Sequence, residues 1–293
     1  MRTPHKIMAA VTLALAAVSV ASPSASADSS QAATAAATAA ATTTTTTAYQ
    51  YRGYHGLSSI LNITPGMRSA GLRPVAVSIG LQASQEKFAG FWDNKPGPAY
   101  LLQKWIDADR YQKLFDESTG DGYQPTVVSA TGSGSQASFT ALFQKKTGRF
   151  FSRHNIGTSE FGGANLYARQ NGYIPVSVNV YGTASNPRYV AVWADNPSSI
   201  TWSLTTATPA SQYQRLFDAQ VQAGYRPSAI AVGPDGKSYT TVWRKDTIGT
   251  WYAFHGLSAA QYQARFDEMT AKGLYPTWID MENGVYAAVF TTR

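Results

Sequence analysis

The chain has 293 residues, a formal net charge of +7 and no cysteine. The charge is mild and no Lys/Arg cluster stands out, which argues against nucleic acid as a partner. Without disulfide staples the fold must rest on core burial, which seventeen Tyr, twelve Phe and seven Trp can supply.

The first 27 residues carry a basic start (Arg2, Lys6), an apolar run from Ile7 to Val20 and an Ala25-Ser26-Ala27 cleavage pattern. This predicts a secretory signal peptide over 1–27, because the run falls short of the ~20 residues a span needs. No later apolar run reaches membrane-spanning length. The expected product is therefore secreted, with no membrane span after cleavage. Residues 28–48 are almost all Ala, Thr and Ser, ending in the run Thr42 to Thr47. They predict a disordered spacer, on which the Thr run could carry O-linked sugars. Removing Arg2 and Lys6 leaves +5 on the rest.

From residue 49 to 293 the sequence repeats. A Gly is followed three residues later by Pro at Gly71/Pro74, Gly122/Pro125, Gly172/Pro175, Gly224/Pro227 and Gly273/Pro276. The Pro-to-Pro steps are 51, 50, 52 and 49 residues. Glycine suits the left-handed residue that ends a helix, and proline then forbids helix and opens an extended run. The β-branched runs that follow, such as Val176-Ser177-Val178-Asn179-Val180, predict strands. After a polar turn, each partner strand ends in a large aromatic, as in Tyr239-Thr240-Thr241-Val242-Trp243. In the last unit the turn contains Asn283-Gly284, a strong hairpin signal.

The next unit opens with a short strand: Tyr51 to His55, Tyr100 to Lys104, Phe150 to His154, Trp202 to Thr206 and Trp251 to His255. A helix follows, spelled alike at Tyr111-Gln112-x-x-Phe115-Asp116, Tyr213-Gln214-x-x-Phe217-Asp218 and Tyr262-Gln263-x-x-Phe266-Asp267. Tyr and Phe at i and i+4 share one face, which predicts a core contact. The third unit has Gly162-Gly163 and the first has Pro65-Gly66 where a helix should run, so both helices are expected to be short or broken.

The fold class is thus an α/β (α+β) repeat protein. It has five strand-helix-strand-strand units of about 50 residues, over 49–97, 98–147, 148–198, 199–248 and 249–293. One unit cannot bury both its sheet and its helix, so the five must associate. No capping unit is left over and open sheet edges carry a cost, which favours a propeller-like ring over an open arc.

The G-[YL]-x-P strand, the aromatic-ended strand and the Y-Q-x-x-F-D helix resemble the tandem repeats in the N-terminal region of secreted polyglycine hydrolases, shared with bacterial tandem-repeat domains. The resemblance covers essentially Tyr51 to Phe290. In those enzymes the repeats precede a β-lactamase-like catalytic domain. This chain ends three residues after Phe290, so the resemblance implies the accessory part without the protease.

A β-lactamase-like site needs S-x-x-K at a helix start. Ser84-Gln85-Glu86-Lys87 has the spelling but falls in a hairpin turn, which marks a chance match. His55, His154 and His255 occupy one repeat position, held by Lys104 and Thr206 in the other units. With Lys104 they are the catalytic candidates if they converge, since imidazole titrates near neutral pH. Otherwise they are strand-end residues inherited from one ancestral repeat. No ligand spacing supports a metal, and no cofactor is expected. Trp105 and Trp278 depart from the repeat pattern and are the candidates for stacking on a ligand such as a sugar. The expectation is a monomeric, non-catalytic secreted module that binds an extracellular protein or polysaccharide, with a small hydrolase or a structural surface protein as alternatives.

Overall fold

The computed structural model describes residues 49–57 and 63–292. The expected signal peptide (1–27) and spacer (28–48) lie outside the described residues. Each of the five units forms one three-stranded antiparallel sheet and one helix. The first has β1 (Tyr51–Leu57), α1 (Thr64–Ser69), β2 (Arg73–Gln82) and β3 (Gln85–Asp93). The second has β4 (Tyr100–Ile106), α2 (Ala108–Gly120), β5 (Tyr123–Thr131) and β6 (Ser138–Lys145). The third has β7 (Phe150–Ile156), α3 (Thr158–Gln170), β8 (Tyr173–Thr183) and β9 (Asn186–Asp195). The fourth has β10 (Thr201–Pro209), α4 (Ala210–Gln222), β11 (Arg226–Val232) and β12 (Ser238–Lys245). The fifth has β13 (Trp251–Leu257), α5 (Ala259–Ala271), β14 (Leu274–Glu282) and β15 (Val285–Thr292).

In every sheet the closing strand is central, the opening strand is one edge and the Gly-Pro strand is the other. Pro74, Pro125, Pro175, Pro227 and Pro276 are all buried and sit on that edge strand, where a missing N–H removes no ladder bond. They do not open their strands, and here the sequence expectation needs correction. The strands start one residue before Pro74 and Pro227 and two before Pro125, Pro175 and Pro276. The cause is steric, for a proline ring drives the residue ahead of it into extended backbone. The register slips just after each proline: between Pro74 and Ala76, Pro125 and Val127, Pro175 and Ser177, Pro227 and Ala229, and Pro276 and Trp278. Gly71, Gly122, Gly172, Gly224 and Gly273 all have φ between 71° and 83°, as the helix-ending role requires. Asn283 and Gly284 both have positive φ, the mirror-image turn their pairing predicts.

Aromatic contacts fix each helix on its sheet. Tyr111 stacks on Phe139 with centroids 4.9 Å apart, Phe161 on Tyr189 at 4.3 Å, and Tyr262 on Tyr286 at 5.2 Å. Each such pair contributes about 0.5–1.5 kcal/mol beyond its buried area. The Phe one turn later reaches the opening strand of another unit. Phe115 meets Phe150, Phe217 meets Trp251, and Phe266 of the fifth unit meets Tyr51 of the first.

The helix of the first unit is short, as its Pro65-Gly66 predicts. The third is a correction: α3 runs unbroken for 13 residues through Gly162 and Gly163. Packing overrides the weak local propensity. Phe161 is buried, and Asn165, standing where the second, fourth and fifth units have Phe, accepts the Trp193 indole N–H at 3.0 Å. A Cβ at Gly162 or Gly163 would meet nothing within 4 Å. Changing either glycine to Ala is therefore expected to raise stability by about 0.5–1 kcal/mol, read as a higher midpoint in urea unfolding.

Between units the Gly-Pro strands lie against one another. β2 packs on β5, β5 on β8, β8 on β11, β11 on β14, and β14 on β2. Apolar residues of all five units line the buried interior, with Trp92, Trp193, Trp243 and Phe290 fully enclosed.

Candidate functional site

The three histidines do not converge. Each lies in a different seam, against the helix of another unit. His55 of the first unit places Nε2 2.9 Å from Gln263 Oε1 on α5, with its ring against Tyr262 and Tyr286. His255 places Nε2 3.0 Å from Gln214 Oε1 on α4, against Tyr213 and Tyr239. His154 packs edge-on to Tyr111 and Phe139. The glutamine amides donate onward to Asp267 and Asp218, at 2.7 and 2.8 Å. The Y-Q-x-x-F-D spelling is thereby explained in the fourth and fifth units: Tyr and Phe pack on the sheet, and Gln bridges its own Asp to another unit's His, while in the second Gln112 bonds Asp116 alone. Burial pulls all three imidazoles below their ordinary value, His255 down to about 4. Lys104, at the same repeat position, is half-buried, and burial together with Arg68 lowers its ammonium.

The residue after this position has positive φ in every unit: Gly56, Trp105, Asn155, Ala207 and Gly256. A bulge there lets the opening strands continue past the predicted ends. Trp105 sits at this bulge, and its partly buried ring packs on the main core. Trp278 is buried, its indole N–H donating to Ile230 O at 3.0 Å. Neither is an open stacking face. Ser84 lies in the tight turn from β2 into β3, at φ 62°, and Lys87 lies on β3, so the S-x-x-K spelling has no helix beneath it. Among the described residues no group of three or more His, Cys, Asp or Glu is placed to hold a metal.

The polar residues that do converge are ones the sequence reading passed over. Four residues past each proline stand Ser78, Ser129, Asn179, Ala231 and Asp280, all buried. In four units this side chain accepts the backbone N–H one place further along a neighbouring unit's strand. Ser129 accepts from Ile79 at 3.0 Å, Asn179 from Ala130 at 2.9 Å, Asp280 from Val232 at 2.7 Å and Ser78 from Met281 at 3.1 Å. Ala231 has no oxygen to offer. Asp280 reaches furthest, for it also takes hydrogen bonds from Ser78 Oγ and Asn179 Nδ2, both at 2.9 Å. One carboxylate of the fifth unit is thus bonded to the first, third and fourth. Two residues on, Glu282 accepts from Thr131 Oγ1 at 2.7 Å and from Leu81 N–H at 3.3 Å, tying in the second unit.

Burial pushes both carboxyls up to about 7, with the donors around them opposing. A raised carboxyl favours the fold most at low pH, and that contribution is lost as pH rises from about 4 to 7. The lowered imidazoles act oppositely, favouring the fold above about 6.5 and losing that contribution as pH falls, for His255 toward 4. The two groups therefore offset each other between those limits. Replacing His255 with Gln should leave a chain whose stability falls more steeply with rising pH there than the parent's, as chemical unfolding at each pH would report.

The geometry is that of a set of structural latches. The model for the polyglycine hydrolase-like structural repeat matches residues 66–95, 105–146, 147–196, 200–246 and 248–293, one match for each unit. The chain belongs to the polyglycine hydrolase-like structural repeat family.

Proposed function

We propose that the chain is a secreted, non-catalytic repeat module whose five units close into a propeller-like ring and whose outer surface binds an extracellular protein or polymer. The observation that carries this reading is the use made of the recurrent polar residues. The His-Gln-Asp relays and the Ser, Asn and Asp links hold one unit to another. What the repeat leaves for a partner is its surface. Ring closure is supported by the meeting of the first and fifth units twice, through His55 with Gln263 and through Ser78 with Asp280. It is supported also by Asp280, whose single carboxylate meets three other units, as a residue near a central axis would.

The two parts have separate tests. The chain has no cysteine, so Cys placed at 55 and 263 can be joined by a short bifunctional maleimide. Intramolecular cross-linking of dilute protein is expected; an open arc would leave the two thiols unjoined. For function, the full chain should be retained on an insoluble polysaccharide or an immobilised peptide without turning it over. Hydrolysis of any member of such a panel, abolished by His154→Ala or His255→Ala, would replace this reading with that of a small hydrolase.

A further inference from the structure

The two ends of the sheets differ in charge. Strand register places Arg73, Asp93 and Tyr51 at one level, and likewise Tyr123 with Lys145, Tyr173 with Asp195 and Arg226 with Arg244. The helix C-termini lead into this same end. Because four of the five links between Gly-Pro strands have the same offset, the units present this end to one side. The loops here, from closing strand to next opening strand, are four to six residues long. They and the closing-strand ends carry the exposed residues Lys95, Lys145, Lys146 and Lys245. Among the described residues none of these four is in an ion pair. Of the acids at the same end, Asp93 is buried, Asp195 pairs with Arg149 at 2.6 Å and Asp246 pairs with Arg226 and Arg244; Asp121, at the end of α2, is exposed, and its backbone carbonyl accepts from Lys145 Nζ. The hairpin end is mixed instead, with Glu86 and Asp235 beside Lys87 and Lys237.

Three of these lysines are held over aromatic faces. Lys145 lies 5.0 Å from the Tyr123 ring, Lys245 5.7 Å from Tyr225 and Lys95 5.9 Å from Tyr49. Such placement limits the rotamer entropy a bound anion would have to remove. A second observation lies at the same end. Tyr252, opposite Phe290 in the register, is 42% exposed and sits beside Lys272, whose ammonium is 5.8 Å from its ring. Lys272 is itself paired with Glu268 at 2.7 Å, so what this position offers is the ring, an amphipathic face left in solvent that is suited to stacking on a sugar.

From these features we infer that the loop end is a docking surface for an acidic polysaccharide. The inference rests on the reading of the chain as a binding module and names the class of polymer. The cations are spread over successive loops and do not converge on one pocket, so they fit an extended ligand bearing charge at intervals. They also lie on short connections, with no helix or ribbon set to enter a duplex groove, which separates this surface from a nucleic-acid reader.

The test uses the full chain on immobilised polygalacturonate, with retention measured across a salt series. Lys145→Glu/Lys146→Glu/Lys245→Glu is compared with a control of equal charge change on other surfaces, Lys87→Glu/Arg110→Glu/Lys237→Glu. The loop-end triple variant should bind at least about tenfold more weakly and show a shallower salt dependence, while the control keeps the parent's slope. Tyr252→Ala should weaken binding and leave the slope unchanged. Equal losses in both triple variants would reduce the effect to net charge and overturn the inference. So would duplex DNA competing better than polygalacturonate. Should a thermal melt show the triple variant unfolded, Lys146→Glu and Lys245→Glu singly must each lower retention for the inference to stand. A parent retained only on neutral polymers or peptides sinks this inference and leaves the binding-module reading intact. Retention on nothing sinks both.

Discussion

Replacing Asp280 with Ala is expected to cost the fold about 3–5 kcal/mol, because several buried donors are left without an acceptor at about 1–3 kcal/mol each. Three donors lose their acceptor at once: Val232 N–H, Ser78 Oγ and Asn179 Nδ2. All belong to buried residues, so water is not at hand to replace the carboxylate. Asp280→Ser should recover part of the loss, because Ser129 performs the same service for Ile79 N–H in its own seam. Urea unfolding followed by tryptophan fluorescence would measure both variants. An Ala variant within about 1 kcal/mol of the parent would mean that the network contributes no more than an ordinary hydrogen bond.

The second large effect concerns Gly80, in the seam between the first and fifth units. Its φ is ordinary, so conformational freedom is not the reason for glycine here. The reason is proximity: a Cβ at this position would overlap the Met281 carbonyl oxygen and crowd the Glu282 Cα. Both obstacles are backbone, which cannot swing aside as a side chain can. Gly80→Ala should therefore force β2 and β14 apart, at a cost of about 3 kcal/mol or more, the upper range for overpacking. Gly71→Ala makes a useful contrast. It has open space around it and only the left-handed φ of 71° to oppose it, for about 1–2 kcal/mol. If the two variants melt alike, the close approach of the two strands is not a stability determinant.

The parts of the fold legible from sequence are those with a local cause. Gly and Pro at fixed offset fix the helix end and, to within two residues, the strand start through backbone sterics alone, and Asn283-Gly284 does the same for a turn. The links between units had no such local cause. Ser78, Ser129 and Asn179 look like the outward residues of half-exposed strands, since alternation cannot distinguish a polar side chain in water from one bonded to another strand. Their recurrence four places after Pro74, Pro125 and Pro175 was the available signal. The bulge after each histidine position was hidden for a similar reason: Gly56 and Gly256 announce it, but Trp105, Asn155 and Ala207 adopt the same left-handed backbone without glycine. The unbroken α3 shows the converse, a weak local preference overruled by Phe161 and Asn165 against the sheet.

The copies have not stayed equivalent where they touch. Between the third and fourth units Ala231 offers no acceptor, and Thr206 stands where three other units have His. There the opening strand has its own fastening to the neighbouring helix: Arg169 lies 4.0 Å from the Trp202 ring and donates to Trp202 O, while the Trp202 indole donates to Tyr173 O. This joint is clasped from the helix side and has no side-chain acceptor at Ala231, the reverse of the joint between the fourth and fifth units, where Asp280 and Trp278 hold the Gly-Pro strands. Under mechanical load or limited digestion, five joints of unlike construction should part in a fixed order and not at random. The joint between the third and fourth units, whose fastening water can reach, is the one placed to yield first.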